Sequence, residues 1–156
     1  MFIITCGDSF TQGEGLEKQT QAYPYLLNAE ITNLAQSGAS EYLITTQIEQ
    51  AVKLKPDLIK AAWHAAGMLY FSETTLVQRL WSGAVSKQIL LAQRANIPMI
   101  HHCCFPHLQL LLEELTDDYI EFHLDLEKHK DKAPDNSHAG ASSHIKLANM
   151  IMNKLS

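Results

Sequence analysis

Cysteine is scarce. Cys6, Cys103 and Cys104 are the only 3 in 156 residues, and an odd count with two neighbours excludes a disulfide framework. Reduced thiols and a cytoplasmic setting are the expectation. Basic charge is scarce too: 12 lysines and arginines face 17 aspartates and glutamates, for a net charge of -5. No basic face is expected to neutralise a phosphate backbone, so nucleic acid is not an expected partner. Long apolar runs are missing, because even residues 89–100 are interrupted by Gln93, Arg94 and Pro98. A membrane helix needs roughly 18 uncharged apolar residues, so a soluble chain with no membrane partner is expected. The N-terminus lacks a basic stretch, a long apolar segment and a small-residue cleavage site, which argues against a signal peptide. No internal repeat or low-complexity segment is present.

What is there is 46% hydrophobic residues, enough to bury the core of one domain over residues 1–156 and too short a chain for two comfortable ones. Residues 2–6 read as a buried strand, followed by a polar loop over 7–17. A short helix is expected at 22–29 with Pro24 in its first turn, then a weak strand at 31–35. Ser40 has the hydroxyl of an N-cap for a helix over 41–54, along which Leu43, Ile44, Ile48, Ala51 and Val52 form an apolar stripe ended by Pro56. Further strands are expected at 58–63 and 98–103, separated by a helix that opens at Thr74 or Thr75 and runs to Ala95. A short helix at 108–115, an edge strand at 119–124, a charged loop at 125–137 and an amphipathic helix over 140–155 complete the reading. Strands alternating with helices predict an α/β fold, a short parallel sheet between two helical layers.

The chemistry sits at the two ends of the chain. Gly7-Asp8-Ser9 closes the first strand, and Asp135-Asn136-Ser137-His138 puts an acid and an imidazole three positions apart. A serine hydroxyl is a poor nucleophile until an adjacent base takes its proton, and that base works best when a carboxylate fixes its tautomer. In an open parallel sheet ligands bind beyond the carboxyl ends of the strands, where Ser9 falls if the first strand is central. Its own backbone N–H is then available to an oxyanion.

These blocks resemble those of the SGNH, or GDSL-like, hydrolases, which carry Gly-Asp-Ser at the first strand and Asp-x-x-His before the last helix. The run onward from His138 to His144, Leu147 and Ala148 is similar to the family's, with Ala139 in place of its proline and Ser143 in place of its glycine. Asn33-Leu34-Ala35-Gln36-Ser37-Gly38-Ala39-Ser40 is similar to the second block. The resemblance implies a three-layer α/β/α sandwich of flavodoxin-like strand order. It makes Ser9 the nucleophile, His138 the base, Asp135 its orienting acid, and Gly38 an oxyanion donor beside Ser9. It also implies a serine esterase, acting without a cofactor on small esters such as O-acylated carbohydrates. The family's third block, Gly-x-Asn-Asp, is absent: its asparagine falls near Ala66, and His64, two residues earlier, is the candidate replacement donor. Without that asparagine, a non-catalytic carbohydrate or small-ligand binding module on the same fold is the alternative.

Other residues invite other readings. His101, His102, Cys103, Cys104 and His107 are zinc-type ligands, but neighbours on a strand point to opposite faces, so no metal site is expected and a strand end bordering the cleft is. His144 is expected to be a structural helix histidine, and His123 and His129 to be solvated. Gly13-Glu14-Gly15 starts like a dinucleotide fingerprint but has Lys18 at the third glycine position. Leu108, Leu111, Leu112 and Leu115 form a stripe suited to the core or to self-association in a homo-oligomer.

Overall fold

The computed structural model describes residues 1–63 and 74–156. Four strands, β1 (Phe2–Cys6), β2 (Glu30–Asn33), β3 (Leu58–Trp63) and β4 (Met99–Cys103), form one parallel sheet in the order β2-β1-β3-β4. This is a doubly wound order in which the chain departs from the central β1 to one side and then crosses to the other. The two inner strands carry almost no solvent exposure, as expected when both faces of a parallel sheet are covered.

Alternation along the strands assigns the faces. Trp63 and His101 meet at 4.5 Å between ring centroids, and Trp63 packs edge-on against Trp81 of helix α3 (Thr74–Ala95). Lys60 and His102 point the other way, toward Tyr23, whose ring in turn stacks on His144 of helix α6 (Ala141–Leu155). Helix α2 (Glu41–Leu54) joins α3 through Gln88, whose amide donates to the Thr45 hydroxyl at 3.1 Å. Helices therefore cover both faces, giving the three layers.

Sequence logic sets the ends of α2. The Ser40 hydroxyl accepts from the Leu43 N–H at 3.4 Å, and Lys55 ends the helix in a left-handed conformation before Pro56. At α6 the cap comes from outside the helix: Gly140 has no side chain, and the Asp131 carboxylate accepts from both the N–H and hydroxyl of Ser143 at 2.8 and 3.0 Å. The family-like glycine position filled by Ser143 is thus a fully buried hydroxyl with its own partner.

Several expectations are corrected. The expected helix at 22–29 is a 3-10 turn, Tyr23–Leu26, and the second strand ends at Asn33 because the Asn33 side chain takes the Ala35 N–H at 3.1 Å. The loop after β1 contains the short helix α1 (Ser9–Gln12). The helix at 108–115 divides into a 3-10 turn, Pro106–Leu108, and α4 (Gln109–Leu115). The expected edge strand at 119–124 is a single bridge: the main chain of 118–120 exchanges two hydrogen bonds with His101, and Leu124 then opens α5 (Leu124–Glu127) inside the expected charged loop. His123 is half-buried and bonded to Gln109 at 3.2 Å rather than solvated. His102 and Cys104 are fully buried rather than bordering a cleft. Among the described residues no helix is long and apolar enough to cross a membrane.

Candidate active site

Gly7 leaves β1 where a side chain has no room: a Cβ there would meet the Thr11 side chain and stand 2.9 Å from the Ala62 methyl. The amide of Gln47 in α2 clasps this residue, accepting from the Gly7 N–H at 2.7 Å and donating to its carbonyl at 3.1 Å. Asp8, fully buried, then caps α1 by accepting from the Phe10 N–H. Ser9 is the first residue of the helix, at the carboxyl edge of the central strand. Among the described residues neither the Ser9 N–H nor the Gly38 N–H donates to a protein acceptor.

The loop before α6 comes back over this edge. Asp135 organises it: one carboxylate oxygen accepts from the N–H groups of Ser137 and His138 at 3.0 and 3.1 Å, while Asn136 takes a left-handed turn at φ 58°. The other oxygen accepts from His138 Nδ1 at 2.6 Å. With its proton on Nδ1, the ring presents a lone pair on Nε2, which lies 3.0 Å from the Ser9 hydroxyl oxygen and accepts from it. Phe10 packs against the His138 ring at 5.0 Å between centroids, fixing its plane. Burial is the largest single influence on the Asp135 carboxyl and pushes it up. The Ser137 N–H and the His138 ring and N–H outweigh that and hold it below the ordinary carboxylate range.

The structure thus brings together Ser9, His138 and Asp135, across 129 positions of sequence for the Ser9–His138 pair. Gly38 sits in the turn after β2 at φ 72°, a left-handed conformation suited to glycine, with open space where a Cβ would stand. His64 lies outside the described residues. His144 is turned away from Ser9: its Nδ1 accepts from the Tyr23 N–H at 3.2 Å, and burial holds its pKa at about 4.

Three features escaped the sequence reading. Gly15, at φ 80°, abuts the Asp135 carboxylate so closely that any Cβ would overlap it. The second glycine of Gly13-Glu14-Gly15 therefore makes room for the acid. The Gln47 clasp on Gly7 is another. The third is a buried polar chain behind the site: Lys60, without solvent exposure, donates to His102 Nδ1 at 2.6 Å, His102 Nε2 lies 4.0 Å from the Cys104 sulfur, and that sulfur lies 3.9 Å from Asp8. Hydrogen bonds of this chain engage His102 and Cys104, while His101 packs on Trp63 from the other face.

No protein-family model matches this sequence, and comparison with curated sequences finds no match. Solved structures match along almost the whole chain. TesA superposes with a TM-score of 0.78 at 11% identity, covering 100% of this chain and 98% of TesA. An acetyl xylan esterase, AlAXEase, gives 0.76 at 16% identity and covers 100% of both chains. The psychrotrophic esterase EstA from Pseudoalteromonas sp., in a structure inhibited by monoethylphosphonate, gives 0.74 at 13% identity, with 99% of this chain and 96% of EstA covered. The chain therefore shares its fold with these esterases and with structures of the lipolytic G-D-S-L family, at sequence identities of 11–16%.

Proposed function

We propose that the protein is a serine esterase that cleaves small esters, with O-acetyl groups on carbohydrates as the preferred substrate class. The carrying observation is the unbroken hydrogen-bond chain Ser9–His138–Asp135 at the carboxyl edge of the central strand. In this reading the Ser9 oxygen attacks the ester carbonyl as its proton passes to His138 Nε2. Asp135 holds the resulting imidazolium, and the oxyanion is met by the amides of Ser9 and Gly38. His138 then delivers the proton to the departing alcohol, leaving an acylated Ser9. A water molecule, deprotonated by the same nitrogen, attacks the acyl carbon and returns the serine hydroxyl. Neither step needs a cofactor. His64 is the proposed third oxyanion donor in place of the missing asparagine. The acetyl preference is supported by the name of AlAXEase, an acetyl xylan esterase that matches along its whole length.

Ser9→Ala tests the assignment. Hydrolysis of p-nitrophenyl acetate is expected to fall by on the order of 10³-fold or more while the melting temperature stays near wild type, since one hydroxyl contributes little packing. Wild-type turnover in Ser9→Ala would remove Ser9 from the mechanism. A wild-type protein that hydrolyses no ester yet binds carbohydrate would support the binding-module reading, which the absent asparagine favours.

A further inference from the structure

An oxyanion hole works only if its donors are held at fixed separation, since a displacement of about 1 Å can cost 10²-fold in rate. Here the two amides lie on different segments: Ser9 on α1, and Gly38 in an exposed turn beyond the last ladder pair of β2. What keeps the turn in place is a set of contacts from the nucleophile loop. Asn33 donates to the Thr11 carbonyl at 3.1 Å, and the Gln36 N–H donates to the Gly7 carbonyl at 3.2 Å. Next to the donor itself, the Ser37 N–H donates to the side-chain carbonyl of Gln12 at 2.7 Å, and the Ser37 hydroxyl donates to the Glu14 carboxylate.

Gln12 is the last residue of α1, and its own N–H bonds the Asp8 carbonyl at 2.9 Å, so it shares one helical turn with Ser9. Its main-chain carbonyl accepts from the Gln19 amide at 3.3 Å, and the Glu14 N–H donates to the Ser9 carbonyl at 3.0 Å. The acceptor for Ser37 therefore moves with the nucleophile, and among the tethers of this turn it is the one that joins the residue next to Gly38 to the helix carrying Ser9.

We propose that Gln12 is a positioning residue for ester hydrolysis: its side-chain carbonyl, seconded by Glu14, anchors Ser37 and so holds the Gly38 N–H in register with Ser9. The proposal rests on the esterase reading above. It makes no contact between Gln12 and substrate, so its effect falls on the transition state and not on binding. The requirement is for an acceptor at that reach. Glutamate meets it, and methionine, of similar length and without an acceptor carbonyl, does not.

The test compares wild type, Gln12→Met and Gln12→Glu by kcat and KM for p-nitrophenyl acetate, with amide hydrogen exchange at Ser37 followed by NMR. In Gln12→Met kcat is expected to fall roughly tenfold to a hundredfold, with KM within about twofold and faster Ser37 exchange. In Gln12→Glu both kcat and Ser37 protection return most of the way to wild type. Wild-type kcat in Gln12→Met, equal loss in the two variants, or KM rising in step with any fall in kcat would overturn the proposal. If the wild type hydrolyses no ester, the esterase reading fails by itself. Ser37 exchange then decides the anchor separately: unchanged protection in Gln12→Met overturns it, and protection lost there and regained in Gln12→Glu sustains it.

Discussion

His138→Ala is expected to lower kcat for p-nitrophenyl acetate by on the order of 10³–10⁶-fold, matching Ser9→Ala, because members of one triad act as a unit. His144→Ala is the control. Both histidines lie in the closing segment, six positions apart, and only their surroundings distinguish them. His138 has a carboxylate at 2.6 Å on one nitrogen and the Ser9 hydroxyl at 3.0 Å on the other. His144 is almost fully enclosed, stacked on Tyr23, and spends its Nδ1 on the Tyr23 N–H. Removing it orphans a buried donor and should cost about 1–3 kcal/mol of stability while the folded fraction keeps its turnover. Loss of activity in His144→Ala together with retention in His138→Ala would transfer the base to His144.

The second large effect concerns stability against pH and comes from Lys60. Burial pushes its pKa down from 10.5 to about 7, partly opposed by the neighbouring thiols Cys104, Cys103 and Cys6. In the window between those values the unfolded chain holds a proton on Lys60 that the folded chain does not, so stability rises with pH there. One such group gives a slope of at most about 1.4 kcal/mol per pH unit. Other groups frame the window. Burial also holds His101, His102 and His144 below their ordinary value of 6.5, which makes stability rise with pH on the acid side as well. Burial raises the three thiols above 9.0, so the folded chain keeps protons that the unfolded chain loses and stability falls beyond that point. Urea unfolding across pH should therefore give a maximum near pH 9, and Lys60→Met should flatten the rise between about pH 7 and 9 and steepen the fall between about pH 9 and 10.5. An equal rise in wild type and Lys60→Met would show that Lys60 is not the group responsible.

The regular elements were legible because their signals are local. The apolar runs of β1, β3 and β4, the Ser40 cap and the stripe along α6 are each written within a few residues of the element they define. The two candidate blocks that the fold brings together were legible for a different reason: Gly7-Asp8-Ser9 and Asp135-x-x-His138 are compact and carry a hydroxyl, an acid and an imidazole in their residue types. What escaped were single side chains acting across the chain. Gln47 clasps Gly7 from 40 positions away, Gln12 bonds Ser37 from 25, and Gly15 makes room for Asp135, none with a periodicity to announce it. Lys60 was hidden by its neighbours, since Leu58–Trp63 reads as an apolar strand and gives no sign that its one charge points inward to His102. The expected strand at 119–124 failed because polar alternation resembles an edge strand, whereas only the main chain around Tyr119 reaches β4 before Leu124 turns into α5.

Activation of Ser9 by His138 is read out by labelling with a fluorophosphonate probe, followed by intact and peptide mass spectrometry. One probe per wild-type chain is expected, on the peptide containing Ser9, with labelling lost in Ser9→Ala and slowed by orders of magnitude in His138→Ala. A folded wild type that takes up no probe, or a His138→Ala variant labelled as fast as wild type, would contradict it.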